Sequence, residues 1–109
     1  MSEPRPASGL LVSSLLRRVA AEGGNGAVLS RGDATAGAIL LVLVDRGVTR
    51  RLVERGIAPD GSYGWLATGP KLLDDPSALS DYLARRRRND PDLWVVELDV
   101  ATDLLADLG

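Results

Sequence analysis

The chain contains neither cysteine nor histidine, and this absence excludes several kinds of chemistry. Disulfides, thiolate nucleophiles, Ser–His and Cys–His catalytic pairs, and metal sites with thiolate or imidazole ligands all need one of these two residues. Acid–base catalysis near neutral pH would need a carboxyl group with a raised pKa or a lysine with a lowered one, and Lys71 is the single lysine. The sequence therefore predicts no cofactor and no metal. It favours a non-catalytic protein, although it leaves enzymatic activity open.

Long apolar runs are also absent. The longest, Ala38 to Val44, is far shorter than the ~18 residues of a membrane-spanning helix and suits a buried strand. Near the N-terminus, Glu3, Pro4 and Pro6 precede the first apolar stretch and arginines follow it. A secretion signal has the opposite order, with basic residues first. We therefore expect a cytoplasmic protein that does not associate with membranes.

The chain is short and slightly acidic, with 109 residues and a formal net charge of −2. A hydrophobic content of 45% is ordinary for a globular protein, and a chain of this length buries enough surface to fold as one domain. Residues 1–7 carry two prolines, and we expect them to form a flexible tail ahead of a single domain over residues 8–109. The negative net charge makes nucleic acid an unlikely partner.

Two segments show the features of helices. Val12, Leu15, Leu16 and Val19 follow the i, i+3, i+4, i+7 spacing of an apolar helix face, which predicts a helix with Ser8 or Ser13 as its cap that runs to about Glu22. A second helix begins at Asp75-Pro76, because aspartate caps a helix N-terminus and proline is favoured at the first helical position. Its buried stripe comprises Leu79, Tyr82 and Leu83, and Asp90-Pro91 ends it.

Five further segments have the composition of strands, and Asp45-Arg46-Gly47 is typical of a tight hairpin between two of them. The segment from Arg55 to Ser62 is rich in turn residues and predicts a loop, and residues 103–108 predict a short helical tail. The fold predicted is α+β in two layers, with a mixed or mainly antiparallel sheet of about five strands and two main helices packed on one face. The predicted strands are Ala27–Ser30, Ala38–Val44, Val48–Glu54, Tyr63–Thr68 and Leu93–Leu98.

A polar segment, Arg31 to Ala36, precedes the second strand. The tripeptide Arg31-Gly32-Asp33 occurs in extracellular adhesion ligands, but nothing in this chain indicates an extracellular protein. We interpret it as a hairpin turn in which Gly32 supplies a positive φ and Asp33 accepts hydrogen bonds from backbone amides that follow it. Gly37 then allows a close approach of the backbone.

Four consecutive arginines, Arg85 to Arg88, end the second helix. At 100° per residue they spread around the helix and cannot share one face. Arg86 follows the buried stripe and points towards the core, so its guanidinium needs a carboxylate or carbonyl partner. Asp90 and Asp92 are the nearest candidates in sequence. The other arginines favour the negative end of the helix dipole or form an anion-binding patch. Trp65 and Trp94 are predicted core anchors, each of which needs a partner for its indole N–H.

These segments suggest one candidate site. We expect the turn at Asp33, the arginine-rich helix end and the Asp90-Pro91-Asp92 turn to lie close together and to form a charged surface that binds a protein partner or a second copy of this chain. One alternative is a small-molecule-binding protein or enzyme that uses an Asp/Arg cluster; another is an RNA-binding accessory protein that works through Arg85 to Arg88. The candidate binding residues are Arg31, Asp33, Arg85, Arg86, Arg88, Asp90 and Asp92.

Several of these segments, in the same order, are similar to those of a known family. The chain resembles a family of small bacterial proteins known as a domain of unknown function, numbered 1491, over about residues 9–100. The resemblance implies a compact single-domain α+β fold and carries over no catalytic residues. The loop between the third and fourth strands of this chain looks short compared with that of the family. The matching segments are Leu15-Leu16-Arg17-Arg18, Arg31-Gly32-Asp33, Ala36-Gly37-Ala38, Trp65, Tyr82-Leu83-Ala84-Arg85 and Asp90-Pro91-Asp92-Leu93-Trp94-Val95-Val96-Glu97.

Overall fold

The fold comprises two helices and five strands in a computed structural model, which describes residues 7–70 and 74–101; four consecutive strands lie between the helices, and one strand follows the second helix. The predicted α+β fold with a mixed five-stranded sheet is confirmed. Residues 1–6 of the predicted tail and the predicted helical tail over 103–108 lie outside the described residues. The elements are α1 (Ser8–Ala21), β1 (Asn25–Ser30), β2 (Ile39–Asp45), β3 (Val48–Ile57), β4 (Tyr63–Thr68), α2 (Pro76–Asn89) and β5 (Trp94–Asp99).

The strand order in the sheet is β1-β5-β2-β3-β4. β5 pairs antiparallel with β1 and parallel with β2, while β2–β3 and β3–β4 are antiparallel pairs. Because β5 separates β1 from β2, the segment between those two strands is not the hairpin that the sequence predicts. It crosses instead over the beginning of β5, where the backbone N–H of Trp94 donates to the carbonyl of Ala38 (2.8 Å).

The two helices cover opposite faces of the sheet. Alternate residues of β2, beginning with Ile39, join the core beneath α1, and those beginning with Leu40 join the core beneath α2. The prediction of two layers with both helices on one face is therefore wrong, and the domain has three layers. The physical reason lies in β2 itself, since all six of its residues from Ile39 to Val44 are buried, and a strand buried on both sides needs cover on both.

The start of α1 is fixed by the loop that follows β1. Ala7 is the N-cap residue and makes no side-chain cap hydrogen bond, so neither Ser8 nor Ser13 caps the helix as predicted. The hydroxyl of Ser8 donates instead to the carbonyl of Gly37 (2.6 Å), and the backbone N–H of Gly9 donates to the carbonyl of Ala34 (2.8 Å). Tertiary hydrogen bonds therefore take the place of a local cap.

The turn chemistry of the hairpin and of α2 agrees with the sequence. Arg46 (φ 54°) and Gly47 (φ 80°) form the turn between β2 and β3, and the Asp75 carboxylate accepts from the backbone N–H of Ser77 and Ala78 (3.0 and 3.2 Å) at the start of α2. β3 is longer than predicted and continues to Ile57. Residues 55–57 are therefore paired with β4 rather than part of a loop.

No described helix is both long and apolar enough to cross a membrane.

Candidate functional site

The turn at Asp33 and the Asp90-Pro91-Asp92 turn are in direct contact. The backbone N–H of Asp33 donates to the carbonyl of Asp92 (3.0 Å), and the indole N–H of Trp94 donates to the carbonyl of Asp33 (2.7 Å). Trp94 is buried in the core beneath α1. The two turns therefore form one backbone unit, which Trp94 anchors at the beginning of β5.

Two glycines permit this contact. A Cβ atom built on Gly32 or on Gly37 would collide with the carbonyl oxygen of Asp92. The prediction of a positive φ at Gly32 is wrong, because Gly32 is not among the described residues with positive φ. Position 32 requires glycine only because the carbonyl oxygen of Asp92 lies so close to it. For Gly37, the predicted close approach of the backbone is confirmed.

The carboxylates of the two turns stabilise the turns themselves. Asp33 Oδ2 accepts from the backbone N–H of Thr35 (3.2 Å) and Ala36 (2.8 Å), as the sequence predicts. Asp90 Oδ1 accepts from the backbone N–H of Asp92 (3.1 Å). Within residues 7–70 and 74–101, no group of three or more Asp or Glu residues is placed to hold a metal ion.

Arg86 pairs with Glu54 of β3. Its guanidinium forms an ion pair with the Glu54 carboxylate and also donates to the hydroxyl of Tyr82 (2.9 Å), which lies 3.0 Å from Thr68 Oγ1. The predicted orientation towards the core is confirmed. The predicted partners, Asp90 and Asp92, are wrong, because those residues lie beyond the helix end while Arg86 faces the sheet.

The environment of Arg86 favours its charged form. Burial alone would lower the pKa of the guanidinium, but the hydrogen bonds to Glu54 and Tyr82 outweigh it and raise the pKa above its ordinary value. The ion pair thus fixes the last turns of α2 against β3.

We expect Glu54→Gln to lower the free energy of unfolding by only about 0.5–1 kcal/mol. The side chains of Arg86 and Glu54 are 25% and 31% exposed, so solvent screens their attraction. Urea denaturation of Glu54→Gln, Arg86→Gln and the double variant gives the coupling between the two residues. If the losses of the two single variants add up to the loss of the double variant, there is no coupling, and the ion pair contributes nothing to stability.

The other three arginines of the run are exposed, and we call Arg85, Arg87 and Arg88 the basic helix end. The guanidinium of Arg85 lies 5.8 Å from the centre of the Tyr82 ring, and that of Arg31 lies 5.6 Å from the centre of the Trp94 ring. In the part of the chain that the structure describes, none of these arginines forms an ion pair with a carboxylate. The structure therefore divides the predicted run into one structural arginine and three exposed ones.

A cleft of about 340 Å³ opens on the α1 side of the sheet. It lies between the beginning of α1, residues 35–39, and the paired strands β3 and β4. Arg55 is one of its lining residues, and its guanidinium lies 4.6 Å from the centre of the Tyr63 ring and 5.3 Å from that of Trp65. None of the predicted site residues lines this cleft.

Sequence reasoning missed Arg55 because it ended the third strand at Glu54. The alternation of Val53, Arg55 and Ile57 continues beyond that point, and it was the signal that β3 carries Arg55 to the same face as Val53.

Comparison with known proteins identifies the family. The family described as a protein of unknown function, DUF1491, matches residues 7–105. The chain belongs to the DUF1491 family. The resemblance of the sequence motifs to that family is thus confirmed. No curated protein matches this DUF1491 chain.

Solved structures of similar bacterial proteins share the fold of this DUF1491 protein. A crystal structure of a DUF1491 family protein from Caulobacter crescentus CB15 is 33% identical, with a TM-score of 0.75 over 87% of this chain and 88% of that one. An NMR structure of a DUF1491 family protein from the same organism is 31% identical (TM-score 0.71, 92% and 90% covered). The solution structure of a protein from A. tumefaciens is 32% identical (TM-score 0.64, 90% and 88% covered).

Proposed function

We propose that this DUF1491 protein is a cytoplasmic, non-catalytic interaction module whose basic helix end binds an acidic segment of another protein. The observation that carries the proposal is the division of the arginine run. Arg86 fixes α2 to the sheet through Glu54, while Arg85, Arg87 and Arg88 are exposed and have no carboxylate partner among the described residues. A fixed helix end with three exposed cations is suited to a complementary acidic partner.

The surroundings of the helix end support this proposal. The turn that follows α2 is bound to the loop that carries Arg31, through the hydrogen bond between Asp33 and Asp92. Residues near the helix end are therefore held in place before any partner arrives, which reduces the entropy lost on binding.

The carboxylates near this surface favour binding over catalysis. Those of Asp33 and Asp90 accept hydrogen bonds from backbone amides of their own turns, and neither residue lines the described cleft. An acid–base pair or a substrate-binding Asp/Arg cluster would instead place such groups together in a concave site.

The same arginines also stabilise the negative end of the α2 dipole, so the experiment must separate stability from binding. Affinity capture from native lysate, with and without nuclease treatment, is to be performed with the wild-type protein and with the triple variant Arg85→Gln, Arg87→Gln, Arg88→Gln. A matched control variant removes the same charge from exposed positions elsewhere and carries the substitutions Arg17→Gln, Arg50→Gln and Arg51→Gln. Thermal unfolding of all three proteins checks their folding.

We expect the wild type and the control to retain a protein partner that the triple variant loses. The affinity of the triple variant for that partner should be at least about tenfold lower, because each removed charge weakens the electrostatic complementarity. Equal recovery by all three proteins would refute the role of the basic helix end. Recovery of nucleic acid alone, lost on nuclease treatment, would favour the RNA-binding hypothesis instead. Sedimentation of the purified protein shows whether the partner is a second copy of this chain.

A further inference from the structure

Arg55 occupies an unusual position in the cleft on the α1 side of the sheet. Its side chain is half-buried and lies against the rings of Tyr63 and Trp65, at 4.6 and 5.3 Å from their centres. Attraction to the faces of aromatic rings helps to hold a guanidinium in place, and its planar set of N–H donors matches a planar anion. Among the described residues that line the cleft, Arg55 is the one charged side chain, and no carboxylate is present.

The sheet separates Arg55 from the acidic residue that is nearest to it in sequence. Glu54 is adjacent in β3, but alternate strand residues face opposite sides, and Glu54 pairs with Arg86 beneath α2. Within the described part of the chain, Arg55 forms no ion pair. Among the described residues the half-buried cation therefore has no carboxylate partner, and an anionic ligand would supply one.

The remaining walls of the cleft are mostly apolar or neutral. Leu11, Ile39 and the short segment around Gly37 form one side, and the ring of Tyr63 forms another. Ile57, which is 65% exposed, pairs with Tyr63 at the same end of β3 and β4. The backbone N–H groups of Ser8 and Gly9 already donate to the carbonyls of residues 35 and 34, so Arg55 is the charged donor that the cleft offers to an anion.

We propose that this cleft binds a small organic carboxylate, with its carboxylate on the guanidinium of Arg55 and its apolar body against Leu11, Ile39 and Tyr63. A volume of about 340 Å³ falls at the small end of the range for ligand pockets. One guanidinium balances one negative charge and matches a carboxylate with two parallel hydrogen bonds. The single charge of the lining and the apolar side chains of Leu11 and Ile39 favour a monoanion with an aryl or alkyl group over a doubly charged phosphate. The site shares no residue with the basic helix end, so the two proposals stand or fall separately.

The test uses the full chain labelled with ¹⁵N and a panel of four carboxylates: acetate, hexanoate, benzoate and phenylacetate. Benzamide and inorganic phosphate are the comparison probes, because the first keeps the ring without the charge and the second keeps an anion without the apolar body. Backbone amide resonances of residues 35–39 and the indole N–H resonance of Trp65 report on the cleft during titration. The variants are Arg55→Gln and Arg55→Lys, with Arg50→Gln as a matched control on the exposed part of the same strand.

We expect hexanoate, benzoate or phenylacetate to shift these resonances saturably, with acetate, benzamide and phosphate at least about tenfold weaker. Arg55→Gln should weaken binding by at least about tenfold, Arg55→Lys by less, and Arg50→Gln by less than about twofold. Should Arg55→Gln fail to fold, Arg55→Lys and the benzamide comparison still decide the question. Three results would overturn the proposal: no saturable shift with any carboxylate, equal binding of benzamide, or shifts that Arg55 substitutions leave unchanged. Tighter binding of phosphate would overturn the assigned ligand class.

Discussion

Trp94→Ala is expected to lower the free energy of unfolding by about 3–5 kcal/mol, the range for removal of a large aromatic side chain from a core. Trp94 is 4% exposed and packs in the core beneath α1. Its indole N–H also donates to the carbonyl of Asp33 (2.7 Å), so the variant loses both packing and the anchor of the crossing loop. A small domain has only about 5–15 kcal/mol of stability, and urea denaturation should show a large loss.

Trp94→Phe separates the two contributions. Phenylalanine retains much of the apolar contact but cannot donate to Asp33, and we expect a loss of about 1–3 kcal/mol for the unpaired carbonyl and the reduced packing. Trp65→Ala is the comparison at a partly buried tryptophan and should cost less than Trp94→Ala. A loss below about 1 kcal/mol for Trp94→Ala would contradict the role of Trp94 as the anchor of the site.

Gly37→Ala is expected to lower the free energy of unfolding by about 1–3 kcal/mol, the usual cost of overpacking. The new methyl group would meet the carbonyl oxygen of Asp92 and would lie 2.9 Å from both the backbone N and the backbone O of Asp33. These are backbone atoms in a hydrogen-bonded contact, so they cannot turn aside as a flexible side chain does. Thermal unfolding should show a midpoint lowered by about 4–8 °C for each kcal/mol.

Gly64→Ala is the matched control for this prediction. Gly64 lies in β4 without a positive φ, and no atom lies within 4 Å of the place that the new methyl group would occupy. Alanine there should leave stability unchanged or raise it by up to about 1 kcal/mol, because it restricts the unfolded chain. If both variants lost the same stability, the close approach of Asp92 would not be the reason for glycine at position 37.

Local features of the fold were accessible from the sequence because they depend on neighbouring residues. Asp75 and Pro76 define the beginning of α2, and Asp45-Arg46-Gly47 forms the hairpin turn. The bounds of β4, Tyr63–Thr68, are those predicted. At the helix start and the hairpin turn, the side chain or the permitted φ of one residue decides the local backbone, with little influence from distant parts of the chain.

The arrangement of these elements was less accessible, because it depends on contacts between distant residues. The insertion of β5 between β1 and β2 leaves no local trace in either strand. The burial of both faces of β2 was visible in its apolar run and implied cover on both sides, which the two-layer prediction did not take into account.

The candidate site shows the same limit. Proximity in sequence favoured Asp90 and Asp92 as partners of Arg86, whereas the fold brings Glu54 to it from 32 positions away in the chain. Arg55 reaches the cleft because the pairing of β3 with β4 continues beyond Glu54. The position at which a strand ends, which the sequence specifies weakly, therefore decided which arginine faces a cavity.

The position of β5 has a consequence for synthesis on the ribosome. β5 is the last of the described strands to emerge, yet it lies between β1 and β2 and pairs with β1. Until it emerges, the apolar edge of β2 is unpaired and the nascent chain exposes a template for aggregation. The sheet is therefore completed only after the other four described strands have been translated, and we expect that shielding of β2 by a chaperone during that interval raises the yield of folded protein.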